Sequence, residues 1–179
     1  IDPSIIVYGE GWMGGPSPLK EDDAALKKNT YKFGELQIAA FSDDCRDGVK
    51  GHVFYEKEAG FANGKAGLEE TIKFAIVAST PHKEVDKTNI VYSDEFWANE
   101  PYQTVTYASA HDNYTLWDKL QIVSPEASKE ELIKINKLIA GIILTSQGIT
   151  FIHAGEEMAR TKVDENGKGL KGAIFGVYN

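Results

Sequence analysis

The sequence is poor in sulfur and in membrane signals. One cysteine, Cys45, among 179 residues rules out an intrachain disulfide and a cysteine-based metal cluster. A small side chain in a packed segment is the expected role for Cys45, ahead of catalysis. No apolar run approaches the roughly 20 residues that cross a bilayer. No signal-peptide pattern opens the chain, which does not begin with Met, and the sequence reads as a piece of something longer. Internal repeats and low-complexity tracts are absent. Positive charge is scarce as well: 19 Lys and Arg stand against 27 Asp and Glu, a net charge of −8. Such a field repels phosphate, so nucleic acid is not an expected partner. What remains is ordinary globular composition, 42% hydrophobic and 26% charged, enough for one sizeable core.

The apolar patterning predicts strands alternating with helices. Residues 1–8 read as a strand apolar on both faces, as in a parallel sheet. Residues 20–32 carry charges of both signs and are expected on the surface. Residues 36–41 form the next strand, and 42–47 read as its polar end, where Asp44 and Arg46 either form an ion pair that shapes a cleft or belong to a solvated loop. A glycine-broken segment runs from there to Asn63 and Gly64. Leu68, Ile72, Ala75 and Ile76 share one face of a helix that ends before Thr80-Pro81. Residues 83–100 form a polar connection that contains Phe96 and Trp97. Thr104 to Ala108 is strand-like. A helical start follows Asn113, and then a long helix. Ser128 and Glu131 form its capping box, its apolar stripe is Leu132, Ile135, Leu138, Ile139, Ile142 and Ile143, and Gly148 is its stop. Residues 149–153 make a fourth strand, ending in Ala154-Gly155-Glu156-Glu157. This order argues for a parallel sheet covered by helices.

Two strand ends carry acids. Ser4 to Tyr8 runs into Gly9-Glu10-Gly11-Trp12, and Thr104 to Ala108 runs into Ser109-Ala110-His111-Asp112-Asn113. In α/β folds the carboxyl ends of parallel strands are where ligands meet the protein. Paired carboxyl groups beside aromatic and imidazole side chains suit hydrolysis of a sugar bond, with one acid donating a proton and the other stabilising positive charge at the anomeric carbon. Glu10 suits the donor, because Trp12 and the glycine turn would shield it from water. Asp112 suits the stabiliser. His111 suits donation to the sugar hydroxyls that Asp112 holds, and Trp12 and Tyr114 suit ring stacking.

The segments Tyr8-Gly9-Glu10-Gly11-Trp12 and Ser109 to Leu120 resemble the signature segments of type I pullulanases, in the α-amylase superfamily of glycoside hydrolases. Supporting segments are Phe41 to Gly51, Ile76 to Thr80, and Leu144 to Lys162. The resemblance implies an α/β fold, a partial (β/α)8 TIM barrel made of about four parallel strands (strands five to eight) with covering helices, and no second domain over residues 1–179. It implies a retaining debranching hydrolase acting on α-1,6 bonds of pullulan, amylopectin or glycogen-type glucans. Glu10 would be the general acid/base and Asp112 the transition-state stabiliser. His111, Trp12, Asn113 and Tyr114 would bind substrate, and Glu157, ahead of Glu156, would shape the barrel mouth with Arg160. The family's nucleophilic Asp, in an Arg-x-Asp pattern, has no counterpart here, so the polypeptide alone is expected to be inactive. Met13 and Thr150 also depart from the pattern. No cofactor is expected; the superfamily admits calcium, and no ligand cluster in the sequence identifies a site. The expected partner is an α-glucan, not a membrane, and the open half-barrel would self-associate. Both secreted and cytoplasmic locations fit. Alternatives are an isoamylase, a branching enzyme, an α-amylase, or a non-catalytic glycan-binding module.

Overall fold

The computed structural model describes residues 2 and 4–171. Four short strands make one sheet: β1 (Val7–Gly9), β2 (Ile38–Phe41), β3 (Thr104–Thr106) and β4 (Ile149–Thr150). All neighbours are parallel and the spatial order is the chain order. The register sets Tyr8 beside Ala39, Phe41 beside Val105, and Val105 beside Ile149. Parallel neighbours need crossover connections. Between β2 and β3 these are α1 (Asp43–Lys50) and α2 (Glu69–Ile76). Between β3 and β4 they are α3 (Leu116–Val123) and α4 (Lys129–Thr145).

The core lies under these helices. Cys45 and Val49 of α1, Ile72 and Ala75 of α2, Leu116 and Leu120 of α3, and Leu132, Ile139 and Ile143 of α4 meet around Ala108. A second cluster joins Ala40 of β2 to Phe74, Val85, Ile90 and Trp97. The capping box of α4 forms as its residue types require: the Ser128 hydroxyl accepts from the Glu131 N–H at 3.2 Å, and Glu131 accepts from the Ser128 N–H at 2.8 Å. Leu138 departs from the expected stripe and is exposed, and α4 ends at Thr145, before Gly148.

Three sequence expectations change. The first strand is shorter than residues 1–8, of which Ile1 and Pro3 lie outside the described residues, and β1 is exposed along its length. It is a sheet edge, and the chain between β1 and β2 is the expected irregular connection, with two 3-10 turns (Glu21–Asp23 and Lys27–Phe33). Second, residues 43–50 are helical where a polar loop was expected. Ser42 caps α1 by accepting from the Cys45 N–H at 3.2 Å, and Asp43 and Asp44 suit the positive end of the helix. Gly48, which obscured the helix in the sequence, serves close packing: a Cβ there would lie 3.0 Å from the Thr71 methyl of α2. Third, the charged stretch 20–32 lies on the surface as expected at Lys20, Glu21, Asp22, Asp23, Lys28 and Lys32, but it is anchored inward at three other positions. Asn29 and Thr30 are buried, and Lys27 Nζ reaches Asp43 at 2.5 Å, Asp44 at 2.9 Å and Ser93 at 3.0 Å. Asp44 is fully buried and also accepts from Trp97 Nε1 at 3.1 Å, so its partner is Lys27, not Arg46.

Removing one partner of a buried ion pair strands the other charge. Lys27→Met should therefore cost about 3–5 kcal/mol of folding stability, read by urea unfolding. A loss under about 1 kcal/mol, the range of exposed pairs, would mean that the 20–32 segment is not held as described.

Candidate active site

The carboxyl ends of the strands open into one cavity of about 730 Å³. Its apolar wall is a row of four rings, each past or near the end of a different strand: Tyr8, Phe41, Tyr107 and Phe151. Phe41 meets the other three edge-on, with centroids 5.6 Å from Tyr8, 4.8 Å from Tyr107 and 5.3 Å from Phe151. Edge-to-face packing of this kind adds about 0.5–1.5 kcal/mol per pair beyond the area buried.

Around this row stand the acids. Glu10 follows β1, and His111 and Asp112 follow β3, with β2 between. One side-chain donor atom from each of the three lies within 4.8 Å of the others. All three are exposed on the cavity rim, so the shielding of Glu10 expected from Trp12 and the glycine turn is not found. An edge strand leaves its terminal acid open to water. Trp12 lines the cavity, and the Arg46 guanidinium sits 5.9 Å from its ring centre. Arg46 in turn is bound bidentately by Asp47, at 2.7 and 2.9 Å, and donates to the Tyr107 hydroxyl at 3.1 Å. The carboxylate of Asp47 outweighs the burial of Arg46 and holds its pKa above the usual value, while burial raises that of the Tyr107 phenol.

The loop that carries His111 and Asp112 is built by its carbonyls. Asn113 lines the cavity in a left-handed conformation, φ 61°. Lys162 Nζ accepts no bond but donates to the carbonyls of Asn113 at 2.5 Å and His111 at 3.0 Å. Asp118 of α3 binds the segment bearing Lys162, accepting from the Lys162 N–H at 2.8 Å and from the Thr161 hydroxyl. Tyr114 differs from its expected stacking role. It is buried, its ring packs against Gly169, and Lys171 Nζ lies 5.3 Å from its centre, so it is a support beneath the loop and not part of the cavity lining. At the fourth strand end the two glutamates differ in setting. Glu156 is buried and accepts from the Ser109 hydroxyl at 2.5 Å, whereas Glu157 is exposed, and Arg160 folds back to the Ala154 carbonyl at 2.9 Å. Burial raises the pKa of Glu156.

Sequence reading missed Phe54, Lys50 and Tyr107 as cavity residues, whereas Arg46 does line the cleft it was expected to shape, paired with Asp47 instead of Asp44. Nothing local in the sequence marks Phe54, whose 74% exposure appears only in the fold. Linear spacing also hid that Glu10, His111 and Asp112 bring one donor atom each to a common point. Calcium prefers six to eight oxygen ligands, and an imidazole with two exposed carboxylates fits it poorly.

Most of the chain is similar to pullulanases. That of Bacillus subtilis strain 168 is 35% identical over 161 residues, 89% of this chain and 21% of the relative. Pullulanase 1, chloroplastic, of Arabidopsis thaliana is 29% identical over 191 residues, 88% of this chain and 20% of the relative. The crystal structure of the Bacillus subtilis type I enzyme complexed with maltose matches with a TM-score of 0.79 at 33% identity, covering 90% of this chain and 21% of that one. The Paenibacillus barengoltzii pullulanase, complexed with maltohexaose and α-cyclodextrin, matches with a TM-score of 0.76 at 40% identity, covering 90% and 23%. The chain thus spans about a fifth of the length of these relatives. No family model matches it.

Cys45 takes no part in this chemistry. It is fully buried on the core side of α1, and burial pushes its thiol up to about 12. The native chain should not react with a disulfide reagent at pH 8, and should release one thiol equivalent in urea. Rapid labelling of the folded chain would contradict the packing of α1.

Proposed function

Since the chain is of pullulanase type, we propose that it forms strands five to eight of a (β/α)8 glycoside hydrolase barrel and supplies two of the three catalytic carboxyl groups of a retaining α-1,6-glucan debranching site. The observation that carries the reading is the convergence of Glu10, His111 and Asp112 within 4.8 Å, from two strand ends, over an aromatic-walled cavity.

In this reading Glu10 protonates the glycosidic oxygen and later takes a proton from the water that releases the product. Asp112 and His111 hold the hydroxyls of the same glucose ring, most strongly when the ring flattens towards the oxocarbenium ion. Asn113 adds an amide to that shell. Trp12 and Phe54 offer rings to neighbouring glucose units, since both line the cavity and keep exposed surface. The third carboxyl, a nucleophile, would come from a strand beside β1. That is the edge on which Ile5, Ile6, Val7 and Tyr8 are exposed. The maltose and maltohexaose in the relatives' crystal structures support an α-glucan as the ligand. A second copy of the chain would cover the same edge and self-associate.

Two arms test the reading. The purified chain should bind maltohexaose by calorimetry yet show no turnover of pullulan, because it lacks the nucleophile. Placed in a complete barrel, the sequence should release maltotriose from pullulan, and Glu10→Gln should lower kcat by several orders of magnitude while glucan binding persists. Full activity of the Glu10→Gln enzyme, or hydrolysis of linear amylose in preference to pullulan, would overturn it.

A further inference from the structure

Residues 52–58 form an arm between α1 and the 3-10 turn Phe61–Asn63, and it carries Phe54 to the cavity. Little apolar packing holds its tip, where Phe54 and Tyr55 are 74% and 62% exposed. The base of the arm is fixed by backbone. Gly51 sits at φ 94°, and a Cβ there would fall 1.9 Å from the Glu58 carbonyl oxygen, so only glycine closes this ring. Inside the arm the Phe54 N–H donates to His52 Nδ1 at 3.1 Å, and the Glu58 N–H donates to the Tyr55 carbonyl at 3.0 Å.

The centre of the arm is filled from another element. Lys119, in the first turns of α3, is 2% exposed. Its ammonium donates to the carbonyls of Tyr55 at 2.8 Å, Glu56 at 2.9 Å and His52 at 3.2 Å. Three donors meet three acceptors, the full capacity of an ammonium group. Burial lowers the Lys119 pKa to about 8, so the group still carries its charge at neutral pH. Lys119 lies four residues after Thr115, the N-cap of α3, and the loop with His111 and Asp112 leads directly into that cap.

From this arrangement we infer that Lys119 is a positioning residue that ties the aromatic arm to the His111–Asp112 loop and so sets where Phe54 stands relative to the acids. It touches no substrate. Lys119 joins the two walls of the cavity, one made by the segment after α1 and the other by the segment before α3, beside a second link in which the Tyr114 side chain is hydrogen-bonded to that of Glu56. The consequence for glucan binding rests on the function proposed above; the tie itself does not.

The test uses the whole chain, three single variants and one double variant. In Lys119→Met the amide protons of Phe54, Tyr55 and Glu58 should exchange with deuterium at least tenfold faster, while those of α4 keep their native rates. Lys119→Arg should give an intermediate rate, since a planar guanidinium cannot serve three carbonyls as an ammonium does. It also keeps the test open should the Met variant fail to fold. Unchanged exchange in the arm, or equal acceleration throughout the molecule, would overturn the inference. For binding, Lys119→Met and Phe54→Ala should each weaken maltohexaose by about tenfold, and together by little more than either alone, the mark of residues acting through one another. Additive losses would show that Lys119 acts on overall stability and not through Phe54. If the unaltered chain binds no maltohexaose, the glucan reading fails, and the exchange result still decides the tie.

Discussion

The structure depends on keeping four parallel strand ends level with one another, and the contacts that do so are aromatic. Phe41 touches Tyr8, Tyr107 and Phe151 edge-on, so one ring bridges the ends of all four strands. Strands of two to four residues have few ladder hydrogen bonds with which to fix their register. Rings in contact past the ladder add directional packing where hydrogen bonding has stopped. Everything of chemical interest stands on that platform. Glu10 follows the first strand and His111 and Asp112 follow the third, and they face one another because the second strand between them ends at Phe41.

The loops that leave the platform are held by lysines instead of by apolar packing. Lys27, Lys162 and Lys119 each draw two or more oxygens from a distant segment, two carboxylates in the first case and backbone carbonyls in the others. An irregular segment has carbonyls that no helix or sheet satisfies, and an ammonium group supplies three donors to one point. In this acidic chain several of the cations are thus committed to holding one segment against another.

Much of this was legible in the sequence. Val, Thr and Tyr ahead of a polar cluster marked the strand that leads to Asp112, and the Ser128–Glu131 pair marked the start of the long helix. The acids at positions 10 and 112 stood out because each closes a strand. What was not legible depends on distance in space. The helix at 43–50 was hidden by Gly48, whose purpose appears only when α2 is beside it. Tyr114 reads as an exposed ring beside His-Asp-Asn and is covered by residues more than fifty positions later. Lys27 and Lys119 read as solvent-facing charges, since nothing local to them announces a partner. Glu156 and Glu157 are indistinguishable in sequence, and the left-handed Gly155 before them decides which one turns inward.

The reading stands on Glu10 and Asp112 facing one ligand. The most direct measurement is a titration of the carboxyl-carbon NMR signals of the labelled chain with maltohexaose. The signals of Glu10 and Asp112 should move together along a single binding curve while that of Glu157, on the exposed side of the last strand end, stays still. Movement of only one of the two, or of neither while the sugar binds elsewhere, would contradict it.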